Sequence, residues 1–273
     1  MNLKNLLLAS LCLLFSTNIQ AQQKITGNKK GDITVLWGWN RGWFTNSDIQ
    51  FKGNNYNFTL KDVVAKDRQT KFDPAIYFHP KWITIPQTNF RIEYFHKENY
   101  SISIGVDHMK YVVQQNQEVL IDGNIDNSGT DYDGYYSNGT IEINNSFLKF
   151  EHSDGLNYIN FEYRRFDNLV KYKKWHLNIA EGLGSGFLLP KTNTTLFNNK
   201  RNDEFHLAGY GFNAVVALNL SYKRYFIQSE LKGGFINMPD IRTTEYKSDK
   251  ASQYFFFSQL NFLVGYSFNL SRD

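Results

Sequence analysis

Apolar and polar side chains alternate with a period of two along several stretches of this chain, the spacing that sends successive side chains to opposite faces of a β-strand. The longest run lies near the C-terminus, where Tyr254, Phe256, Leu260, Phe262, Val264, Tyr266, Phe268 and Leu270 share one parity. Gln259, Asn261, Gly265, Ser267 and Asn269 take the other. Tyr210, Phe212, Ala214, Val216, Leu218, Leu220 and Tyr222 repeat the pattern, as do Tyr100, Ile102, Ile104 and Val106, and Phe90, Ile92 and Tyr94. The last two runs predict a hairpin across Lys97-Glu98-Asn99. Further strands are expected near 32–46, 155–166, 173–187 and 225–237, about eight in all, and ten if 144–152 adds to a hairpin. Connections alternate between long (47–87, 114–154, 188–204, 238–252) and short (97–99, 167–172, 223–224). No stretch approaches the roughly 18 apolar residues of a helical span. An all-β chain that shows lipid one face of each strand predicts an antiparallel, up-and-down transmembrane β-barrel with long extracellular loops.

The first residues stand outside this scheme. Lys4 precedes an apolar stretch from Leu6 to Phe15, too short to span a bilayer, and a polar tail ends at Ala21. This is the pattern of a secretory signal over 1–21, which leaves 22–273 as the barrel domain. Leu11 before Cys12 argues against a lipoprotein signal, and removal of the leader takes away the only cysteine. Without Lys4, 29 of the 30 Lys and Arg remain against 26 Asp and Glu, a balance that speaks against nucleic-acid binding. An aromatic content of 16% with 5 prolines favours strands and interfacial rings.

Projected inward, the alternation puts Arg91, Glu93, Asp107, Glu162, Arg164, Glu230 and Lys232 in the lumen. An eight-stranded barrel is just wide enough to be filled by its own side chains, so charges of both signs are expected to pair there. Asp107 and His108 are neighbours on a strand and point to opposite faces, so they cannot form a catalytic pair. Glu181 falls on the lipid face with Leu177, Ile179 and Leu183. A bulge near Gly182, Gly184 and Gly186 would turn it inward. Glu151, His152 and Asp154 read as a solvated hairpin tip. Loop 114–153, rich in Asn, Asp and Gly, reads as flexible, with no calcium-loop spacing after Asp131. No metal or cofactor is assigned. Loop 47–87 is too aromatic to be free: Phe51, Tyr56, Phe58, Tyr77, Phe78 and Trp82 predict a folded cap or a contact surface for another outer-membrane protein or lipopolysaccharide.

The terminal stretch Gly265-Tyr266-Ser267-Phe268-Asn269-Leu270 is similar to the strand signal read by the barrel-assembly machinery, with Gly265, Phe268 and Leu270 as its marks. With the pattern of nearly the whole mature chain, it resembles small outer-membrane barrels of the OmpA and OmpW type, in the aromatic-rich, Asn-rich versions common in Bacteroidota. The resemblance implies an outer-membrane location among lipid and lipopolysaccharide and brings no catalytic motif. The expected function is a non-enzymatic barrel acting in envelope integrity or as an accessory subunit of an outer-membrane complex. Two alternatives stay open. One is a lipid A acyltransferase or deacylase using His79, His108 or His206. The other is a soluble periplasmic β-protein that binds an apolar ligand.

Overall fold

The computed structural model describes residues 28–79, 81, 86–200 and 204–269. The leader over 1–21, Trp82 and Leu270 lie outside them. The described strands are β1 (Asp32–Phe44), β2 (Ser47–Lys52), β3 (Tyr56–Val63), β4 (Ala65–Lys66), β5 (Thr88–Lys97), β6 (Tyr100–Val113), β7 (Gln117–Ile125) and β8 (Gly134–Ile143). They continue with β9 (Leu148–Tyr172), β10 (Trp175–Pro190), β11 (Asn193–Leu196), β12 (Asn199–Lys200), β13 (Gly209–Tyr222), β14 (Tyr225–Arg242) and β15 (Lys250–Asn269). A short helix, α1 (Pro74–Tyr77), is capped by the Asp73 carboxylate, which accepts from the Ala75 N–H.

Eight strands close a ring in the order β1-β5-β6-β9-β10-β13-β14-β15, and β15 returns to β1 over the full length of β1. Every neighbouring pair in the ring is antiparallel. The backbone is satisfied by closure, as a wall in lipid requires. A walk across register partners from Tyr100, at the lower turn of β6, passes Arg165, Glu181, Val216, Leu231 and Leu260. It arrives at Arg41, near the upper end of β1. The strands are therefore strongly tilted against the barrel axis.

One end of the ring carries tight turns at 98–99, 173–174 and 223–224, and the other carries all the long connections. The middle turn differs from the expected 167–172 because β9 runs on to Tyr172, where exposed Leu169, Val170 and Tyr172 continue the apolar outer wall. In the wall, apolar side chains point outward and are exposed, among them Ile92, Ile104, Phe161, Leu183, Leu218 and Phe262. Rings gather near the turns: Trp175 lies 4.7 Å from Tyr222 and Tyr225 lies 5.1 Å from Tyr266, centroid to centroid. Such girdles form where a barrel meets the headgroup region.

Beyond the wall, the polarity of the two faces reverses. Segment 144–152 does not add a ring strand; from Leu148 onward it is the upper part of β9, which continues out of the wall. Strand β2 pairs with the upper end of β15, β3 with β2, β7 with β3 and β8 with β7. On β2 the polar Asp48, Gln50 and Lys52 face out while Ile49 and Phe51 are fully buried, the alternation of a water-soluble sheet. These strands and the inward faces of β6, β9, β14 and β15 enclose one apolar core containing Phe51, Phe58, Tyr111, Phe147, Phe150 and Phe255. Loop 114–153 is thus an ordered hairpin, its Val119, Ile121, Ile141 and Ile143 held in that core.

Candidate functional site

The seven charged side chains projected into the lumen are all buried, and they lie together in a layer at mid-wall. Lys232 Nζ stands 2.5 Å from Asp107 Oδ2 and 2.8 Å from Glu162 Oε1. Arg91 approaches Glu162 Oε1 at 3.1 Å and Asp107 Oδ1 at 3.9 Å. Arg164 spans Glu162 Oε2 and Glu230 Oε1, each at 2.6 Å. Amides add to the same carboxylates: Asn213 donates to Glu162, Asn261 and Gln228 to Glu230, and Asn160 to Asp107. Glu93 makes no ion pair among the described residues; its carboxylate accepts from the Ser101 hydroxyl at 2.6 Å and the Thr34 hydroxyl at 3.1 Å.

Charge in a low-dielectric interior is tolerated only when nearly every lone pair and proton finds a partner. The backbone makes room for this. A Cβ at Gly182 would come within 2.7 Å of Arg164 Cγ, and one at Gly184 within 2.6 Å of Glu162 Cγ. These inward glycines admit the two most heavily shared members of the layer, and no bulge accompanies them. The register shift in this hairpin lies lower, between Leu177 and Asn178. Glu181 accordingly stays on the outer face, as register partner of the outward Arg165, and does not join the lumen.

Apolar side chains flank the ion pairs on both sides. Below lie Phe95 and Phe166, with ring centroids 5.2 Å apart, packed with Ala180 and Ala217, and a second group of Leu36, Phe226 and Leu263. Above lies the large outer core, in which Tyr111 stacks on Phe255 at 4.9 Å. A lumen filled in this way can brace a wall.

The outer aromatic residues fall into two sets. Phe51, Tyr56 and Phe58 are buried at 9% exposure or less, so they hold the outer domain together and are not a contact surface. Their parity on six- to eight-residue strands turns them inward. Phe78 and Phe72 are exposed at 63% and 69%, and Tyr135 on β8 at 83%. Tyr77 and Phe78 pack at 5.8 and 5.6 Å against Trp39 on β1.

His152 departs from the sequence reading. It is fully buried in β9, between Tyr111 and Phe150, with Nδ1 2.9 Å from the Thr192 hydroxyl, and is not at a solvated tip. Burial pulls its pKa down to about 3, so the ring is neutral. Glu151 beside it is held by Arg68 at 2.7 Å and Lys149 at 3.3 Å. Of the histidines considered for catalysis, His108 pairs with Asn157 at 2.8 Å and His206 with Asp240 at 3.0 Å. His79 is exposed and accepts from the Lys81 N–H. Gly265 lies inward under the Phe226 ring, and Phe268 follows it at the open lower end.

No family model and no curated protein matches the chain. Among solved structures, the outer membrane protein AlkL in lipid bilayers aligns at 11% identity over 94% of this chain and 99% of its own, with a TM-score of 0.40. The outer membrane protein OprG of Pseudomonas aeruginosa aligns at 10% identity over 90% of this chain and 100% of its own, with a TM-score of 0.44. The attachment invasion locus protein Ail of Yersinia pestis aligns at 8% identity over 88% and 99%, with a TM-score of 0.31.

Proposed function

We propose that this chain is an exported outer-membrane barrel without enzymatic activity, a closed and braced wall that holds a folded β-domain outside the cell. The carrying observation is the reversal of faces along continuous strands. An outward apolar band surrounds the ion-paired layer, and beyond it the same strands bury their apolar side chains inward and turn polar ones to water. The band needs lipid around it, and the outer domain needs water.

The role follows from what the two parts offer. The filled lumen supports bracing over transport, so recognition falls to the outer domain, where Phe72, Phe78, Tyr135, Phe205 and Tyr246 are among the exposed rings. Envelope integrity or an accessory place in an outer-membrane complex fits this division. Gly265 and Phe268, on the closing strand, are assigned to recognition by the barrel-assembly machinery.

The test is fractionation of expressing cells, with heat-modifiable gel migration, external protease digestion and lipid A mass analysis on the same preparation. The reading expects an outer-membrane, heat-modifiable protein, cleavage near Tyr135 from outside, and unchanged lipid A. An acyl-chain mass shift would replace it with the enzymatic alternative.

A further inference from the structure

At the tight-turn end the barrel opens into a cavity of about 550 Å³ that passes the Phe95 and Phe166 rings and reaches Thr34 and Glu93. Six Lys and Arg residues line it, Lys29, Lys171, Lys173, Lys174, Lys223 and Arg224; the charged ends of Lys173, Lys223 and Arg224 turn to the outer girdle rings Tyr172, Tyr222 and Tyr266, which leaves Lys29, Lys171 and Lys174 to the cavity. The two carboxylates that also line it are already engaged. Asp32 accepts from the Lys29 N–H at 2.6 Å and the Asn269 amide at 2.6 Å, and Glu93 holds the hydroxyls of Ser101 and Thr34. None of the six cations has a carboxylate partner among the described residues.

Their crowding is built into the fold. Strands β10 and β13 are paired down to Trp175 and Tyr222, so the turns Lys173-Lys174 and Lys223-Arg224 lie side by side, and the Lys223 N–H donates to the Lys174 carbonyl at 3.4 Å. Lys173 and Lys223 sit at φ of 54° and 56°, where glycine or asparagine is the undemanding choice. Each rests its ammonium over the adjoining tyrosine ring, at 5.3 and 5.5 Å. Lys29, Lys171 and Lys174 have neither a ring nor a carboxylate among the described residues.

We infer that this cavity is a binding site for an acidic polypeptide segment, supplied by a partner on the periplasmic side. Lipid phosphates gather outside the encircling wall, whereas the cavity lies inside it. The three cations left to the cavity, Lys29, Lys171 and Lys174, are lysines, mobile point charges suited to carboxylates on a flexible chain; fixed bidentate phosphate recognition favours arginine. Phe226, with Phe95 and Phe166 in the same cavity, gives an apolar wall for side chains between the acids. The volume is within the range of ligand pockets.

The compartment named for the partner rests on the orientation proposed above; the chemistry of the site does not. The experiment uses the full chain refolded in neutral detergent and a fluorescent peptide, Glu-Glu-Phe-Glu-Glu, followed by anisotropy. Saturable binding is expected, weakened by salt and reduced about tenfold or more in K171E/K174E. K97E, which reverses a charge on the turn outside the cavity, is expected to bind as the wild type does. Heat-modifiable migration confirms that each variant folds. Absent saturation, equal loss in K97E, or displacement by millimolar inorganic phosphate each overturns the inference. External labelling of cells at Lys173 tests the orientation separately.

Discussion

Arg164 and Glu230 meet at 2.6 Å inside the barrel although 66 residues separate them, and neither side chain is more than 1% exposed. The guanidinium also holds Glu162, so its removal would leave Glu230 without an ion pair among the described residues and Glu162 to Arg91 and Lys232. Arg164→Met is expected to cost about 3–5 kcal/mol, read as a lower urea midpoint for the refolded barrel. Adding Glu230→Gln to that variant should recover part of the loss. An unchanged midpoint in the single variant would show that the layer does not brace the wall.

Phe51 is fully buried and stacks on Phe58, with ring centroids 5.2 Å apart at 17°. Phe51→Ala should cost about 3–5 kcal/mol within the outer domain. Protease should then cut segments 47–63 and 117–143 faster while the ring still migrates as a heat-modifiable band. Coupled loss of both would mean that the two parts fold as one unit.

His152 gives a pH dependence with a definite sign. Its folded pKa, about 3, lies below the ordinary 6.5, so the folded state resists protonation. The stability tied to the neutral ring is complete above about pH 6.5 and is lost as pH falls from there toward 3, by up to several kcal/mol. Outer-domain proteolysis should accelerate between pH 6.5 and 4, and His152→Gln should flatten that component. Equal acceleration in the variant would assign the effect to carboxylates instead.

Glu181 shows its carboxylate to the lipid side of the wall, opposite Arg165. Glu181→Leu is expected to raise the urea midpoint, by about 1 kcal/mol, with no effect on the interior layer. A fall in stability would indicate that its attraction to the neighbouring Arg165, which is ion-paired with Asp167, outweighs the cost of exposure to lipid.

The ring was legible because lipid-facing strands are long and their apolar parity persists, as from Tyr254 to Val264. The lumen residues could be placed because parity alone decides which way Arg91 or Lys232 points. What brings Arg164 to Glu162 and Glu230 is register and tilt, which no single strand carries. The outer domain escaped for a different reason. Its strands are six to ten residues long, and Ile49, Phe51, Phe58 and Leu60 alternate with Asp48, Gln50, Asn57 and Thr59 as in any soluble hairpin. Parity over such short runs leaves both a folded cap and a contact surface open for their aromatic residues. Their alternating exposure, which was present in the sequence, makes them a core.

Strand β9 runs for 25 residues and belongs to both media, with Phe161 and Tyr163 showing outward below and Phe150 and Leu148 turned inward above. Sliding the chain along the bilayer normal in one direction would pull the band into water; in the other it would press Asp48, Lys52 and Lys61 toward hydrocarbon. The point on each strand where apolar side chains change faces therefore acts as a depth gauge. It fixes how far the outer domain stands above the lipid without any anchor beyond the wall itself.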